Sequence, residues 1–268
     1  MQQPARAVSR LIDGAKDDRQ FVTALARGLE VLRCFSAQKP ELGTSEIAAA
    51  LGLPQPTVWR LCHTLTTLGY LVPGSGTGKL RVGTPVISLG AAAIHALAFT
   101  QLVKPHMERL ASRFPAAFVL AEKHMGDMIY LLRCDGKTEF VLNLPVGSRL
   151  RLGSGAVSWT CVAAMSEDER RDALEQIREH CADWERIFRH IESAQEMISQ
   201  RGFVTSVDDS TPGVSFVVAP VASPDPSRQF VVLGGGPSFV LSRHTLEKEI
   251  GPELLALADH VASAIPLP

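Results

Sequence analysis

The stretch TSEIAAALGLPQPTVWRLCHTLTTLGYLV, Thr44 to Val72, restricts the fold around it more than any other part of the chain. Gly52 and Pro54 separate two runs of helical spacing, so one continuous helix cannot cover both. Two short helices joined by a tight turn must pack on each other instead. Thr44 or Ser45 is placed to cap the first, and Glu46 falls in its first turn, where the helix dipole favours an anion. Gly52 is its natural stop. Pro56 suits the first turn of the second helix, expected over residues 56–68 and ended by Gly69. At 100° per residue Val58, Leu61, Leu65 and Leu68 share one face of it, while Trp59, Arg60, His63 and Thr67 share the other. Large planar and basic groups on the outward side of a short apolar helix point to a partner that is not in this chain.

The flanks complete a small domain. FVTALARGLEVLRCFSAQ has apolar residues at 21, 22, 25, 29, 32 and 35, the spacing of a helix. Residues 39–43 read as a loop. After Gly69, YLV and LRV are strand candidates joined by the turn PGSGTGK. Three helices followed by a hairpin is the plan of a winged helix-turn-helix, which sets its second helix into the major groove of DNA. Gln55 and Thr57 then lie at the base-reading end. Gln55 fits adenine, Arg60 fits guanine or a phosphate, and Lys79 and Arg81 on the hairpin suit neighbouring phosphates.

Beyond residue 84 the pattern is helical as far as Phe114, with Pro105 expected as a kink or break. From Ala117 the period changes. AFVLAEKH and MIYLLRCD flank the turn Met125-Gly126-Asp127, and EFVLNLPV is a third strand candidate. Helices follow near 155–180, the second opening on Ser166 and Glu169 in capping-box spacing. A longer helix is expected from about Trp184 to Gln200, ended by Gly202. FVTSV, SFVVAPV and FVVLGGG are strands, and a last helix covers about 243–264. This order makes an α+β domain with helices packed on a sheet.

Charge divides the same way. Residues 1–83 hold ten Lys/Arg and six Asp/Glu, against seventeen and twenty-two in the remainder, so only the first part is suited to a polyanion. With 46% apolar and 21% charged residues the chain has a globular composition. It contains no run of about 18 apolar residues of the kind that spans a membrane. The first twenty residues read as a mobile polar lead without a signal-peptide core. Five cysteines without a Cys-x-x-Cys fit reduced thiols and a cytoplasmic setting.

Several chemistries fail on spacing. GSGTGK, Gly74 to Lys79, has Pro73 and Leu80 where a phosphate-binding loop needs glycine and a hydroxyl residue. No His-Glu-x-x-His or Gly-x-Ser-x-Gly occurs, and His124, His180, His190 and His244 read as surface or helix residues. No catalytic residue, metal or cofactor is expected. A hydrolase stays open because a catalytic triad need not be local in sequence. A small-molecule sensor acting through protein contacts is the other alternative.

These stretches resemble the IclR-type bacterial transcription regulators. ARGLEVLRCF is similar to that family's Arg-Gly-Leu-x-Ile-Leu opening. SEIAAALGLPQPTVWRLCHTLTTLGYL is similar, nearly position for position, to its Glu-Ile-Ala … Gly-Leu-Pro-x-x-Thr-Val-x-Arg-Leu … Leu-x-x-x-Gly-Tyr pattern, and RVGTPVISLG to the end of its wing and start of its linker helix. LNLPVGSRLRLGSGAVSWTCVAAMSEDER, GFVTSVDDSTPGVSFVVAPV and VVLGGGP resemble its effector-domain stretches. The resemblance covers residues 21–265.

It implies an α+β protein in which a winged helix-turn-helix is joined by a helix to a GAF-like sheet domain flanked by helices. The implied divisions are a lead at 1–20, the DNA-binding domain at 21–83, a linker helix at 84–100 and the effector-binding and oligomerisation domain at 101–268. Expected partners are double-stranded operator DNA, a small-molecule effector and further copies of the chain, as a homodimer or a dimer of dimers. The DNA-contacting set is Thr44, Ser45, Gln55, Thr57, Trp59, Arg60, His63, Lys79 and Arg81. The effector set is Leu142, Leu144, Ala156, Val157, Ser158, Trp159, Asp209, Phe216, Leu233 and Gly235. This chain departs from the family there. Ser158-Trp159 stands for the usual Gly-Lys, Arg151-Leu152-Gly153 for Pro-Leu-His, and Leu233 and Gly235 for two serines. More apolar bulk and fewer hydroxyls imply a larger effector than a two- or three-carbon acid, an aromatic or aliphatic carboxylate, with Arg149 and Arg151 as candidate partners of its charge.

Overall fold

The computed structural model describes residues 18–137, 145–181 and 183–267. The chain divides into two compact units that meet at Ala96 and Leu97.

In the first unit, helices α1 (Thr23–Arg33), α2 (Thr44–Leu51) and α3 (Gln55–Thr67) close over a core of Val31, Ile47, Leu51, Val58, Cys62 and Leu71. The break between α2 and α3 is where the glycine requires it: Gly52 is left-handed at φ +65° and ends α2. The cap of α2 differs from expectation. Neither Thr44 nor Ser45 caps it; Gly43 is the N-cap, and the Glu46 carboxylate accepts the Gly43 N–H at 2.7 Å. That carboxylate, three residues into the helix, supplies the reach-back half of a capping box, satisfying the N-cap amide. The core stripe of α3 also shifts. Cys62 is buried and Leu68 is 60% exposed. Cys62 lies only 40° around the helix from Val58, whereas Leu68 is the C-cap, where the chain is already leaving.

Strands β1 (Glu41–Gly43), β2 (Leu71–Pro73) and β3 (Lys79–Val82) form a sheet in the order β1-β3-β2. Residues 41–43, expected as loop, are therefore a third strand, with Leu42 opposite Leu80. The return of β3 needs Gly83, where an added Cβ would lie 2.0 Å from the Gly69 carbonyl oxygen. Helix α4 (Pro85–Ala96) follows, and none of its residues is buried among the described residues.

The second unit is a six-stranded antiparallel sheet ordered β6-β5-β4-β9-β8-β7. Its strands are β4 (Ala117–His124), β5 (Asp127–Asp135), β6 (Arg149–Arg151), β7 (Val204–Val207), β8 (Val214–Val221) and β9 (Phe230–Pro237). Alternation along each strand sends side chains to two cores. Phe118, Leu120, Val217 and Val232 pack with α5 (Phe99–Arg113) and α9 (Gly251–Ala264). Val119, Phe216, Val218 and Leu233 pack with α6 (Ala156–Ala163), α7 (Glu167–Arg178) and α8 (Trp184–Arg201).

Three details depart from the sequence reading. Pro105 stays inside α5, and the helical break falls ahead of Phe99. The third strand expected at 139–146 falls largely outside the described residues; the edge strand seen is β6, with Arg151 opposite Asp127. The last helix opens as a π-helical turn, Thr245–Ile250, which brings Glu247 to Arg201 at 2.8 Å. The capping box of α7 forms as its spacing requires, with the Ser166 hydroxyl 2.7 Å from Glu169.

Candidate nucleic-acid interface and effector site

Helix α3 places Gln55, Trp59, Arg60 and His63 in solvent, with Thr57 half-buried at its first turn. At the start of α2, Thr44 is half-buried and Ser45 exposed. Val58 and Cys62 hold the inner side, so the outer side is free of any packing duty. Arg60 has no ion-pair partner among the described residues, and its charge faces water. Trp59 and His63, one turn apart, lie with rings parallel to within 6° and centroids 5.3 Å apart. Thr64 and Thr67 turn their hydroxyls back onto the Arg60 and His63 carbonyls and are satisfied within the helix.

The wing is held by two carboxylates. Glu41 on β1 accepts the Ser75 amide at 2.9 Å and its hydroxyl at 2.9 Å, which lowers the pKa of its carboxyl. Lys79 on β3 donates to Glu46 on α2, and that bond, with the Gly43 amide, lowers the Glu46 pKa. The two basic residues assigned to phosphates thus differ. Arg81 is exposed on β3, while Lys79 is half-buried and ties the wing to α2.

In the second unit the described residues expected at the effector site gather on one face of the sheet. Ala156, Val157, Ser158 and Trp159 are buried in the first turn of α6. Phe216 lies opposite Gly235 and Leu233 opposite Val218, beneath that turn. Leu142 and Leu144 lie outside the described residues. Gly155, left-handed at φ +82°, leads into α6, and a Cβ there would meet Ser210 at 3.6 Å. The loop carrying Asp209 therefore runs beside the start of the helix.

Trp159, in the position the resemblance gives to lysine, has its indole N–H donating to the Gly153 carbonyl at 3.0 Å. Its ring stacks on His190 of α8 at 4.0 Å and 6°. The His190 Nε2 accepts from the Arg186 Nε at 3.3 Å, and its Nδ1 lies 3.3 Å from an Asp209 oxygen. An arginine only donates, so Nε2 is the acceptor in that contact and the neutral ring carries its proton on Nδ1, the nitrogen that faces Asp209. Burial lowers the His190 pKa, with Asp209 opposing the shift. Arg186 also donates to the Asp209 carbonyl at 3.3 Å.

His190, read from sequence as an ordinary helix residue, is therefore a partly buried member of this cluster, and Arg186 was missed. Arg149, a candidate partner for an effector carboxylate, lies 3.8 Å from Asp127 at the sheet edge. The one available signal for the missed pair was their i,i+4 spacing on α8. Nucleophilic chemistry finds little support here. Among the described residues no three His, Cys, Asp or Glu groups are placed to hold a metal. Burial pushes the Cys161 thiol up to about 12 and the Cys62 thiol up to about 11.

Comparison with known proteins gives consistent matches to both units. The IclR helix-turn-helix domain matches residues 24–74, and the bacterial transcriptional regulator IclR C-terminal domain matches residues 91–265. The chain is 28% identical over 247 residues to the HTH-type transcriptional regulator TsaQ1/TsaQ2 of Comamonas testosteroni, covering 90% of this chain and 87% of that one. It is 39% identical to an IclR family transcriptional regulator from Brucella abortus whose crystal structure superposes with a TM-score of 0.85, over 94% of this chain and 96% of that one. An IclR homolog from Microbacterium hydrocarbonoxydans, crystallised with 4-hydroxybenzoate, shares the fold at a TM-score of 0.65 and 21% identity, over 90% of this chain and 98% of that one.

Proposed function

Because the chain belongs to the IclR family of bacterial transcriptional regulators, and is a transcription regulator rather than an enzyme, we propose that α3 reads operator DNA under the control of an aromatic carboxylate bound beside α6. The observation that carries the first half is the division of α3 into a buried edge of Val58 and Cys62 and an exposed edge of Gln55, Trp59, Arg60 and His63. Gln55 and Arg60 supply base-edge hydrogen bonds, and Arg81 a phosphate contact. Residues 21–83 are the DNA-binding domain, 84–100 the linker and 101–268 the effector and assembly domain. The chain works in the cytoplasm as a homodimer or a dimer of dimers. The exposed apolar surface of α4 supports that assembly.

The effector half rests on the Trp159–His190 stack. A flat imidazole on the indole at 4.0 Å marks a place that a flat effector ring takes over. Arg186 then turns from His190 and Asp209 to the effector carboxylate, for which a guanidinium is the better-suited partner. The Ser210 hydroxyl, buried without a hydrogen-bond partner among the described residues, is a further group for a polar substituent.

The test has two arms. Arg60→Ala costs about 1–3 kcal/mol of operator affinity if Arg60 makes a paired base contact, and wild-type affinity falls steeply with salt. Unchanged binding by the variant rejects Arg60 as a reader. In the second arm, benzoate and hydroxybenzoates are titrated beside acetate and glyoxylate. An effector shifts operator affinity by about 5–150-fold and raises the melting temperature. If no carboxylate moves both, sensing at this site is wrong.

A further inference from the structure

The stacked pair on α3 has a chemistry that hydrogen-bond readout leaves unused. An indole offers a single N–H donor and a large apolar surface. Trp59 is 57% exposed and belongs to no core, so that surface is maintained in water at a cost that packing within the chain does not offset. His63, one turn toward the C-terminus, covers one face of the ring and holds it parallel. The other face of the ring is the one away from His63, which sits one turn further from the N-terminal, base-reading end of α3. Gln55 lies one turn further along the same edge, so Gln55, Trp59 and His63 form an i,i+4 ladder.

In the major groove one base substituent is apolar, the 5-methyl group of thymine. An amide that fits adenine, followed one turn on by an oriented apolar plane, matches A·T pairs through both of their distinctive features. We infer that Trp59, held in place by His63, is a specificity-determining residue that selects thymine through its 5-methyl group. This inference rests on the reading of α3 as the operator-binding helix.

The experiment separates the two ideas. Full-length protein selects duplexes from a randomised pool, and each thymine of the preferred duplex is then replaced singly by deoxyuridine. That change keeps every hydrogen bond and removes only the methyl group. With the wild-type chain one thymine in each half-site is sensitive, its replacement weakening binding about fourfold, the value of burying one methyl-sized group. Trp59→Ala binds more weakly but is indifferent to uridine at that position, and His63→Ala has a reduced response because the indole is no longer held. Both side chains are exposed, so unchanged melting temperatures confirm that the variants are folded. If wild type and Trp59→Ala respond alike to every replacement, methyl reading is wrong while operator binding stands. If the wild-type chain enriches no sequence at all, the operator reading itself fails, and this inference with it.

Discussion

Trp159→Ala is expected to lower the stability of the second unit by about 3–5 kcal/mol, the usual cost of deleting a buried aromatic, and to move the His190 titration upward. The stability loss follows from packing. Trp159 is buried beneath the effector face among Ala156, Val162 and Leu233, and its removal also leaves the Gly153 carbonyl without its indole donor. The titration follows from what remains. His190 has a lowered pKa chiefly because it is desolvated, with the stacked indole covering one face. Without that cover water reaches the imidazole, the desolvation that holds the pKa down is relieved, and the Asp209 carboxylate 3.3 Å away is opposed only by the Arg186 and Arg189 guanidinium groups.

The pH dependence of stability that His190 supplies then weakens. In the wild-type chain the folded state favours neutral His190. Its contribution is complete above the unfolded histidine value of about 6.5 and declines as pH falls through that value toward the lower folded one. In the variant the folded value lies closer to the unfolded one, so less stability is lost as pH falls through the same window. Denaturant melts between pH 5 and 8, with the His190 ring protons followed by NMR, measure both. A His190 titration unmoved by Trp159→Ala means that the stack does not control the ring.

What could be read from the sequence was whatever a short stretch decides by itself. The stops at Gly52 and Gly202 and the capping box at Ser166 depend on neighbours within a turn, and all three stand in the structure. SFVVAPV was likewise legible as a strand, but that its successive residues feed two separate cores is visible only in the structure. Strand β1 was illegible because three residues carry no period; it exists because Leu42 meets Leu80 across the sheet. The cluster around Trp159 was half legible for the same reason. Trp159 and Asp209 lie in stretches with a family pattern, but His190 and Arg186 acquire meaning only when α8 is laid against α6 and the Asp209 loop. Lys79 shows the converse. Its position on the hairpin suited a phosphate, and only the folded chain shows Glu46 beside it.

The second large effect is expected from α4. Changing Ile87 and Leu89 together to glutamate should convert the protein to monomers and reduce affinity for a paired operator by about 10²–10⁴, the gain that linked binding sites ordinarily supply. The sequence of the helix, PVISLGAAAIHA, is apolar almost all round, a composition found in helices enclosed on every side. Within one chain it is not enclosed: Ile87 is 71% exposed, Leu89 55% and Ile94 48%. A twelve-residue helix is marginal in water without tertiary packing, so a second copy that covers this surface stabilises the helix and removes apolar area from solvent at once. Two carboxylates at the centre of such a contact would be buried without partners, which disfavours association strongly. On the monomer surface they cost little, because both positions already face water. The variant therefore keeps its fold, measured by circular dichroism and melting, while sedimentation reports the mass of a single chain and a gel shift reports only weak half-site binding. A variant that retains the wild-type mass and operator affinity places the assembly contact elsewhere on the chain and leaves the apolar surface of α4 unexplained.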